Sequence, residues 1–254
     1  MHKHKKSLGQ NFLVDKNIIN KIIHQVSPLH SDSFLEIGPG EGALTYPLVD
    51  KISELIVIEK DQKLSHKLGE LFSKNNKITV INQDVLKIDI DKYIKNKIRV
   101  IGNLPYNIAT EIIFFLLNSK IKIQDIHVML QKEMVDRISA PPGSKQYGRI
   151  SVMVQANYNV KKLFDVSPNV FEPKPKVWSS YMRLIPKKKV FINNTHRENF
   201  KKIVTLAFIS RRKMLKTSLK GNISLDKISH IIGDEKVRPE QLSHNQFIEI
   251  AKYV

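Results

Sequence analysis

Five short apolar runs recur along the first half of the chain, each leading to a glycine or a polar residue at a steady interval. Phe34-Leu35-Glu36-Ile37 runs into Gly38, and Leu55-Ile56-Val57-Ile58 into Glu59. Ile78-Thr79-Val80-Ile81 reaches Asp84, and Ile98-Arg99-Val100-Ile101 precedes Gly102-Asn103. From Gly38, the markers at 59, 84 and 103 follow after 21, 25 and 19 residues, the length of a strand, a helix and two short loops. A fifth run spans Ile126 to Leu130. Between the runs, residues such as Leu64, Leu68, Leu71 and Phe72 carry helical spacing. The pattern predicts an α/β domain whose parallel sheet is covered by helices on both faces.

The cadence stops near Pro186. Beyond the linker-like Lys187-Lys188-Lys189, the residues Phe200, Ile203, Val204, Ala207 and Phe208 predict one amphipathic helix over 197–220, with Gly221 as its stop. Ser224 is placed to cap a second helix that Gly233 ends, and Ser243 with Gln246 forms a capping box for a third. The expected organisation is therefore an α/β domain over 1–186 and a small all-helical domain over 187–254.

Composition narrows the class. The 254 residues contain no cysteine, which excludes disulfides, thiolate metal sites and cysteine nucleophiles. The longest apolar run, Ile112 to Leu117, is six residues, against the ~20 that a membrane helix needs. The basic start, Met1 to Lys6, is followed by no apolar segment and does not read as a signal peptide. A soluble cytoplasmic protein is expected. Its net charge of +18 points to a polyanionic partner, although 34 of the 42 basic residues are lysines, which an A/T-rich genome would also supply. Distribution favours function: residues 187–254 hold 15 Lys and Arg against 6 Asp and Glu, while residues 1–186 hold 27 against 18. A genome bias would not concentrate the excess in one domain.

Three segments carry chemistry. Glu36-Ile37-Gly38-Pro39-Gly40-Glu41-Gly42 stands where the first strand hands over to a helix, and its glycines let backbone approach a ligand. The third glycine comes one residue too early for a dinucleotide fingerprint, and an acid just before the glycines sits poorly beside a pyrophosphate. A nucleoside without phosphates fits better, S-adenosylmethionine being the common one. The loop alone is equally a plain strand-to-helix turn. Glu59 is placed to accept hydrogen bonds from ribose hydroxyls, and Asp84 from an adenine amine; either alone would pass for a solvated acid, but both at successive strand ends favour an adenosyl group. Gly102-Asn103-Leu104-Pro105-Tyr106-Asn107 follows the fourth strand. An adenine amine is a poor nucleophile because its lone pair is delocalised into the ring. Acceptors on its two N–H groups, the Asn103 side-chain oxygen and the Leu104 carbonyl, would favour the pyramidal form. Pro105 stiffens the turn and Tyr106 offers a stacking face. Taken alone, this segment would also read as an Asn-x-Pro turn with a core tyrosine.

With these segments stand Gly9-Gln10-Asn11-Phe12-Leu13, Gln131-Lys132-Glu133, Tyr147-Gly148-Arg149, Phe171-Glu172-Pro173-Lys174-Pro175-Lys176-Val177, and Ala207-Phe208 with Arg211-Arg212-Lys213. Over nearly its whole length the sequence resembles the adenine dimethyltransferases of small-subunit ribosomal RNA. The resemblance implies a Rossmann-like class I S-adenosylmethionine-dependent methyltransferase with a small C-terminal helical domain. It implies dimethylation of N6 on two adjacent adenosines near the 3′ end of 16S rRNA, in the small subunit or its precursor, during subunit biogenesis. It further implies that residues 1–16 close over the cofactor, that Asn11, Leu13, Gly38, Glu59, Asp84 and Asn103 contact S-adenosylmethionine, and that Phe171 stacks on the base opposite Tyr106. Trp178 and Tyr181 depart from it, being bulky where small residues are usual. Arg211, Arg212, Lys213 and Lys216 lie on the polar side of the 197–220 helix and, in that family context, are expected to grip RNA phosphates. No metal is expected, since the histidines lack ligand spacing, and a monomer is expected. The rival readings are a 23S rRNA adenine methyltransferase of the macrolide-resistance type, which shares the glycine loop and the Asn-x-Pro-Tyr segment, and a non-enzymatic RNA-binding assembly factor.

Overall fold

The computed structural model describes residues 9–188, 190–210, 213–234 and 236–254. A two-residue strand, β1 (Phe12–Leu13), precedes α1 (Lys16–Val26), whose N-cap Asp15 accepts the Ile18 N–H at 2.9 Å. Each apolar run then becomes a strand: β2 (Ser33–Ile37), β3 (Glu54–Glu59), β4 (Ile78–Asn82), β5 (Ile98–Asn103) and β6 (Ile123–Gln131). These pair in parallel in the order β4-β3-β2-β5-β6. Connecting helices are α2 (Thr45–Val49), α3 (Gln62–Leu71) and α4 (Ala109–Asn118). Between β4 and β5 the expected helix is replaced by a single 3₁₀ turn at Ile90–Lys92. Consecutive residues of the central strands (Phe34 and Leu35, Leu55 and Ile56, Val57 and Ile58) are all at most 3% exposed, so both faces of the sheet are covered.

The sheet is mixed, which corrects the all-parallel expectation. After β6 come α5 (Lys132–Ile138) and α6 (Arg149–Asn157), and the chain returns as β7 (Tyr158–Val166) and β9 (Ser179–Pro186), with β9 antiparallel to β6 and β7 at the edge. Lys161, Lys162 and Asp165 interrupt β7, as an edge strand with a wet side allows. Between them, β8 (Phe171–Glu172) pairs antiparallel with β1 in a separate ribbon, Phe12 opposite Glu172 and Leu13 opposite Phe171.

The chain forms two compact units, residues up to 135 with 161–185, and 136–160 with 186–254. The second unit therefore takes in a stretch that the contiguous division at 186 assigned to the first domain. Tyr147 explains why: its buried ring meets Phe208 edge-on at 6.5 Å between centroids. The other elements of this unit are α7 (Asn194–Ile209), α8 (Leu215–Ser218), α9 (Leu225–Ile232) and α10 (His244–Ile250). Phe200, Ile203, Val204 and Ala207 form the buried face of α7. The helix expected over 197–220 ends at Ile209, and α8 is a separate turn held by the Leu215 N–H to Val237 O bond of 2.8 Å. Gly233 closes α9 at φ +73°, and the Ser243–Gln246 capping box forms at α10, whereas Ser224 makes no side-chain cap bond. Among the described residues no helix is long and apolar enough to cross a membrane.

Candidate active site

A cleft opens in the first unit at the carboxyl ends of β2, β3 and β5, where open parallel sheets place their ligands. The glycine loop forms its floor. Gly38 turns at φ +66° while its N–H reaches Ile58 O at 3.0 Å, and Gly40 turns at φ +60° while its N–H donates to Glu59 Oε2 at 3.1 Å. Side chains are excluded at Gly40 on two grounds, the left-handed φ and a Phe12 ring that would lie 2.8 Å from a Cβ.

Two acids are buried here, and no salt bridge joins either to a cation among the described residues. Glu36 is 1% exposed and accepts the Thr45 hydroxyl at 2.7 Å. Burial raises its pKa to about 7, against the Thr45 bond and with help from the charge of Glu59. Glu59, at the end of β3, accepts the N–H groups of Gly40 and Asp61, the latter at 2.8 Å, one on each oxygen. Burial raises its pKa as well, only partly opposed by those bonds. The Lys60 N–H also bears on this carboxylate, which leaves at least one lone pair for a ligand. Asp84 differs. Burial pushes its carboxyl up, but the Lys60 ammonium at 2.9 Å and the Leu86 N–H at 3.0 Å outweigh it and hold the group below the ordinary aspartate range.

The Asn103–Tyr106 turn leaves β5 at the cleft wall. Gly102 brings β5 against β2 so closely that a Cβ there would lie 2.7 Å from Ile37 O. Asn103 Nδ2 donates to the Asn11 carbonyl at 2.8 Å. Because that partner is a carbonyl, it dictates which end of the amide is nitrogen, leaving Oδ1 as the opposite, accepting end. Leu104 is buried, with its N–H on Met129 O at 3.1 Å. Pro105 lines the cleft, and a Cβ on Gly38 would lie 3.9 Å from Pro105 Cδ. The Tyr106 hydroxyl meets Ser179 Oγ at 2.5 Å, and burial raises its pKa against that bond.

The N-terminal segment contributes directly: residues 9–14 line the same cleft, and the Val14 N–H to Val170 O bond of 2.9 Å extends the β1–β8 pairing. Asn11 and Leu13 are thus brought together with Gly38, Glu59, Asp84 and Asn103 in one lining. Residues 1–8 lie outside the described residues. Phe171 is not brought there. The residue is 4% exposed and belongs to the core cluster that also holds Leu13, Ile22, Val26 and Val166, with Leu13 as its cross-strand partner. The expected RNA-gripping residues are also distributed differently: Lys213 is exposed in the connection after α7, Lys216 is half-buried on α8, and Arg211 and Arg212 lie outside the described residues. Among the described residues, no cluster of His, Asp and Glu could hold a metal ion. Sequence reasoning missed the Thr45–Glu36 and Ser179–Tyr106 bonds, since hydroxyl residues carry no periodic signal.

A family model described as ribosomal RNA adenine dimethylase matches residues 1–254. Ribosomal RNA small subunit methyltransferase A of Legionella pneumophila (strain Corby) is 45% identical over 253 residues, covering 100% of this chain and 98% of the relative. Among solved structures, a dimethyladenosine transferase from Plasmodium falciparum superposes with TM-score 0.82 at 25% identity, over 94% of this chain and 95% of that one. The 23S rRNA methyltransferase ErmE gives TM-score 0.74 at 24% identity, over 95% and 98%, a likeness of fold.

Proposed function

The chain belongs to the ribosomal RNA adenine dimethylase family, and from that premise we propose that the cleft at the carboxyl ends of β2, β3 and β5 binds S-adenosylmethionine and converts two adenosines of small-subunit ribosomal RNA to N6,N6-dimethyladenosine. The observation that carries the assignment is the juxtaposition of the glycine loop, Glu59 and the Asn103–Tyr106 turn in one lining. An adenosyl group suits this lining. Glu59 keeps accepting capacity for a ribose hydroxyl, Asp84 is an ionised acceptor at the next strand end, and Gly38 and Gly40 offer backbone where side chains would intrude. The cofactor supplies a methyl group on a sulfonium, already activated for attack.

The protein's contribution is to position and bias the nucleophile. Asn103 Oδ1, with the amide nitrogen held by Asn11 O, accepts one N–H of the target amine, and the Leu104 carbonyl accepts the other. Together they favour the pyramidal form whose lone pair can attack. Tyr106, braced by Ser179, stacks on the base, which must leave its helix to reach the cleft. No strong base is required, because the proton leaves an already alkylated, cationic nitrogen; positioning supplies most of the rate. The same acceptors must take a mono-methylated amine for the second transfer.

The second unit, with half of the net positive charge in residues 187–254, is read as the part that grips the subunit RNA, Arg211, Arg212, Lys213 and Lys216 among its cations. The work is placed in the cytoplasm during small-subunit biogenesis. In the decisive experiment, the protein is incubated with labelled S-adenosylmethionine and small subunits lacking the modification, and the label is mapped. Label is expected in two adjacent adenosines near the 3′ end of 16S RNA. Label in 23S RNA, or none, refutes the assignment. Asn103→Ala is expected to abolish turnover while leaving subunit binding nearly intact.

A further inference from the structure

Trp178 is the single tryptophan of the chain and is 52% exposed. A ring of that size left half in water forgoes a large apolar burial. Its backbone is nevertheless fixed: the Trp178 carbonyl accepts the Lys132 N–H at 2.9 Å, where β6 passes into α5. The next residue, Ser179, opens β9 opposite Gln131, and its hydroxyl is the 2.5 Å partner of the Tyr106 hydroxyl. An exposed indole is thus mounted on a rigid strand start, one residue from the group that braces Tyr106. The segment leading to it exposes Lys174, Lys176 and Val177, with Glu172 its one acid. A flat aromatic face flanked by cations is the chemistry that holds single-stranded nucleic acid, the base on the ring and the phosphates on the ammonium groups.

We propose that Trp178 is a stacking platform for a nucleotide neighbouring the target adenosine, with Lys174 and Lys176 drawing in the phosphates beside it. The proposal rests on the methyltransferase reading, because it takes Tyr106 as the place where the target base sits. Charge favours RNA over a protein partner, since two of the segment's three exposed charged residues, Lys174 and Lys176 against Glu172, are basic. A flanking nucleotide stacked there would hold the strand splayed open while its neighbour enters the cleft, and would contribute to binding rather than to the methyl transfer itself.

The test compares wild type, Trp178→Ala and Trp178→Phe in methylation of small subunits lacking the modification. The alanine variant is expected to raise KM for the subunit about ten-fold. Its kcat should stay within about two-fold, and its S-adenosylmethionine affinity should be unchanged. Phenylalanine, which can still stack, is expected to recover most of the loss. Ultraviolet cross-linking of the wild-type complex is expected to attach a ribosomal RNA nucleotide to the peptide containing residue 178. An unchanged KM in Trp178→Ala, or a cross-link to a ribosomal protein in place of RNA, overturns the proposal. Emission from the lone tryptophan separates the two readings. Quenching by a short adenine-rich single-stranded RNA, in a protein that methylates no small-subunit RNA, would fault the methyltransferase reading and leave the platform standing.

Discussion

The two ends of the central sheet bury charge in opposite ways. At the amino ends of the strands, Arg99 is 5% exposed and bonded to both oxygens of Asp125 at 2.8 and 3.0 Å, to Asp32 at 2.8 Å and to the Val26 carbonyl at 2.8 Å. Asp125 also takes His127 at 3.1 Å and Arg183 at 2.7 Å. Although burial pushes the Asp125 carboxyl up, the bonds and charges of His127 and Arg99 hold it far below the ordinary range. At the carboxyl ends, Glu36 and Glu59 are as deeply buried but form no ion pair among the described residues, and burial raises both pKa values. One end neutralises its charges internally and is structural. The other leaves acids in tension, the mark of a candidate ligand site.

The largest expected effect breaks the neutralised end. Asp125→Ala strips Arg99 of its bidentate partner and leaves a buried cation with fewer acceptors. Removing one partner of such a network costs about 3–5 kcal/mol. For a chain of this size, that corresponds to a fall in melting temperature on the order of 10 °C, checked by calorimetry. Activity per folded molecule is expected to stay near normal below the transition, since the network lies away from the cleft. A selective loss of turnover with an unchanged melting temperature would contradict the division between the two ends.

The same contrast explains what could be read from the sequence. The parallel strands announced themselves because both faces are buried, so Leu55 to Ile58 appear as one unbroken apolar run. Glu59, Asp84 and Asn103 could be picked out because they stand at strand ends, where open sheets place their clefts, and the structure brings them into one lining. The antiparallel edge was not, since Lys161 and Asp165 are exposed and, with Lys162, break the run in β7. Two-residue strands such as β1 and β8 carry no periodic signal at all. Phe171 shows the limit of a motif: residue type and spacing do not state how far a ring is buried, and the structure puts Phe171 in the core cluster beside Leu13 and outside the cleft lining. The Arg99–Asp125 network was equally hidden, because its members, 26 residues apart, meet only once β5 and β6 pair.

The next prediction sharpens the end left in tension. The folded pKa of Glu36, about 7, lies above its unfolded value of 4.5, so the folded state holds a proton that the unfolded chain has already released. The stability this supplies is fully present below about pH 4.5 and is lost as the pH rises to about 7, an amount on the order of 3 kcal/mol. Glu36→Gln keeps an acceptor for the Thr45 hydroxyl and removes the titration. The difference in stability between variant and wild type, from denaturant unfolding at a series of pH values, is expected to grow in favour of glutamine across that window. A flat difference would show that Glu36 is not held as described.

The smallest effect concerns Glu59 and ties the two acids together. Glu59→Gln keeps one accepting oxygen but presents an amide nitrogen to either Gly40 or Asp61, both of which donate to this side chain. On the proposed reading the ribose hydroxyls lose a charged acceptor, and hydrogen bonds to charged groups are worth about 1.5–3 kcal/mol. S-adenosylmethionine affinity, measured by titration calorimetry, is therefore expected to fall at least about ten-fold. Because the charge of Glu59 raises the Glu36 pKa, its removal is also expected to move the stability window of Glu36 to lower pH. If affinity falls while the window stays in place, Glu59 serves the ligand but not the tension. If the window moves while affinity holds, the buried acids are coupled to each other and the ribose contact lies elsewhere.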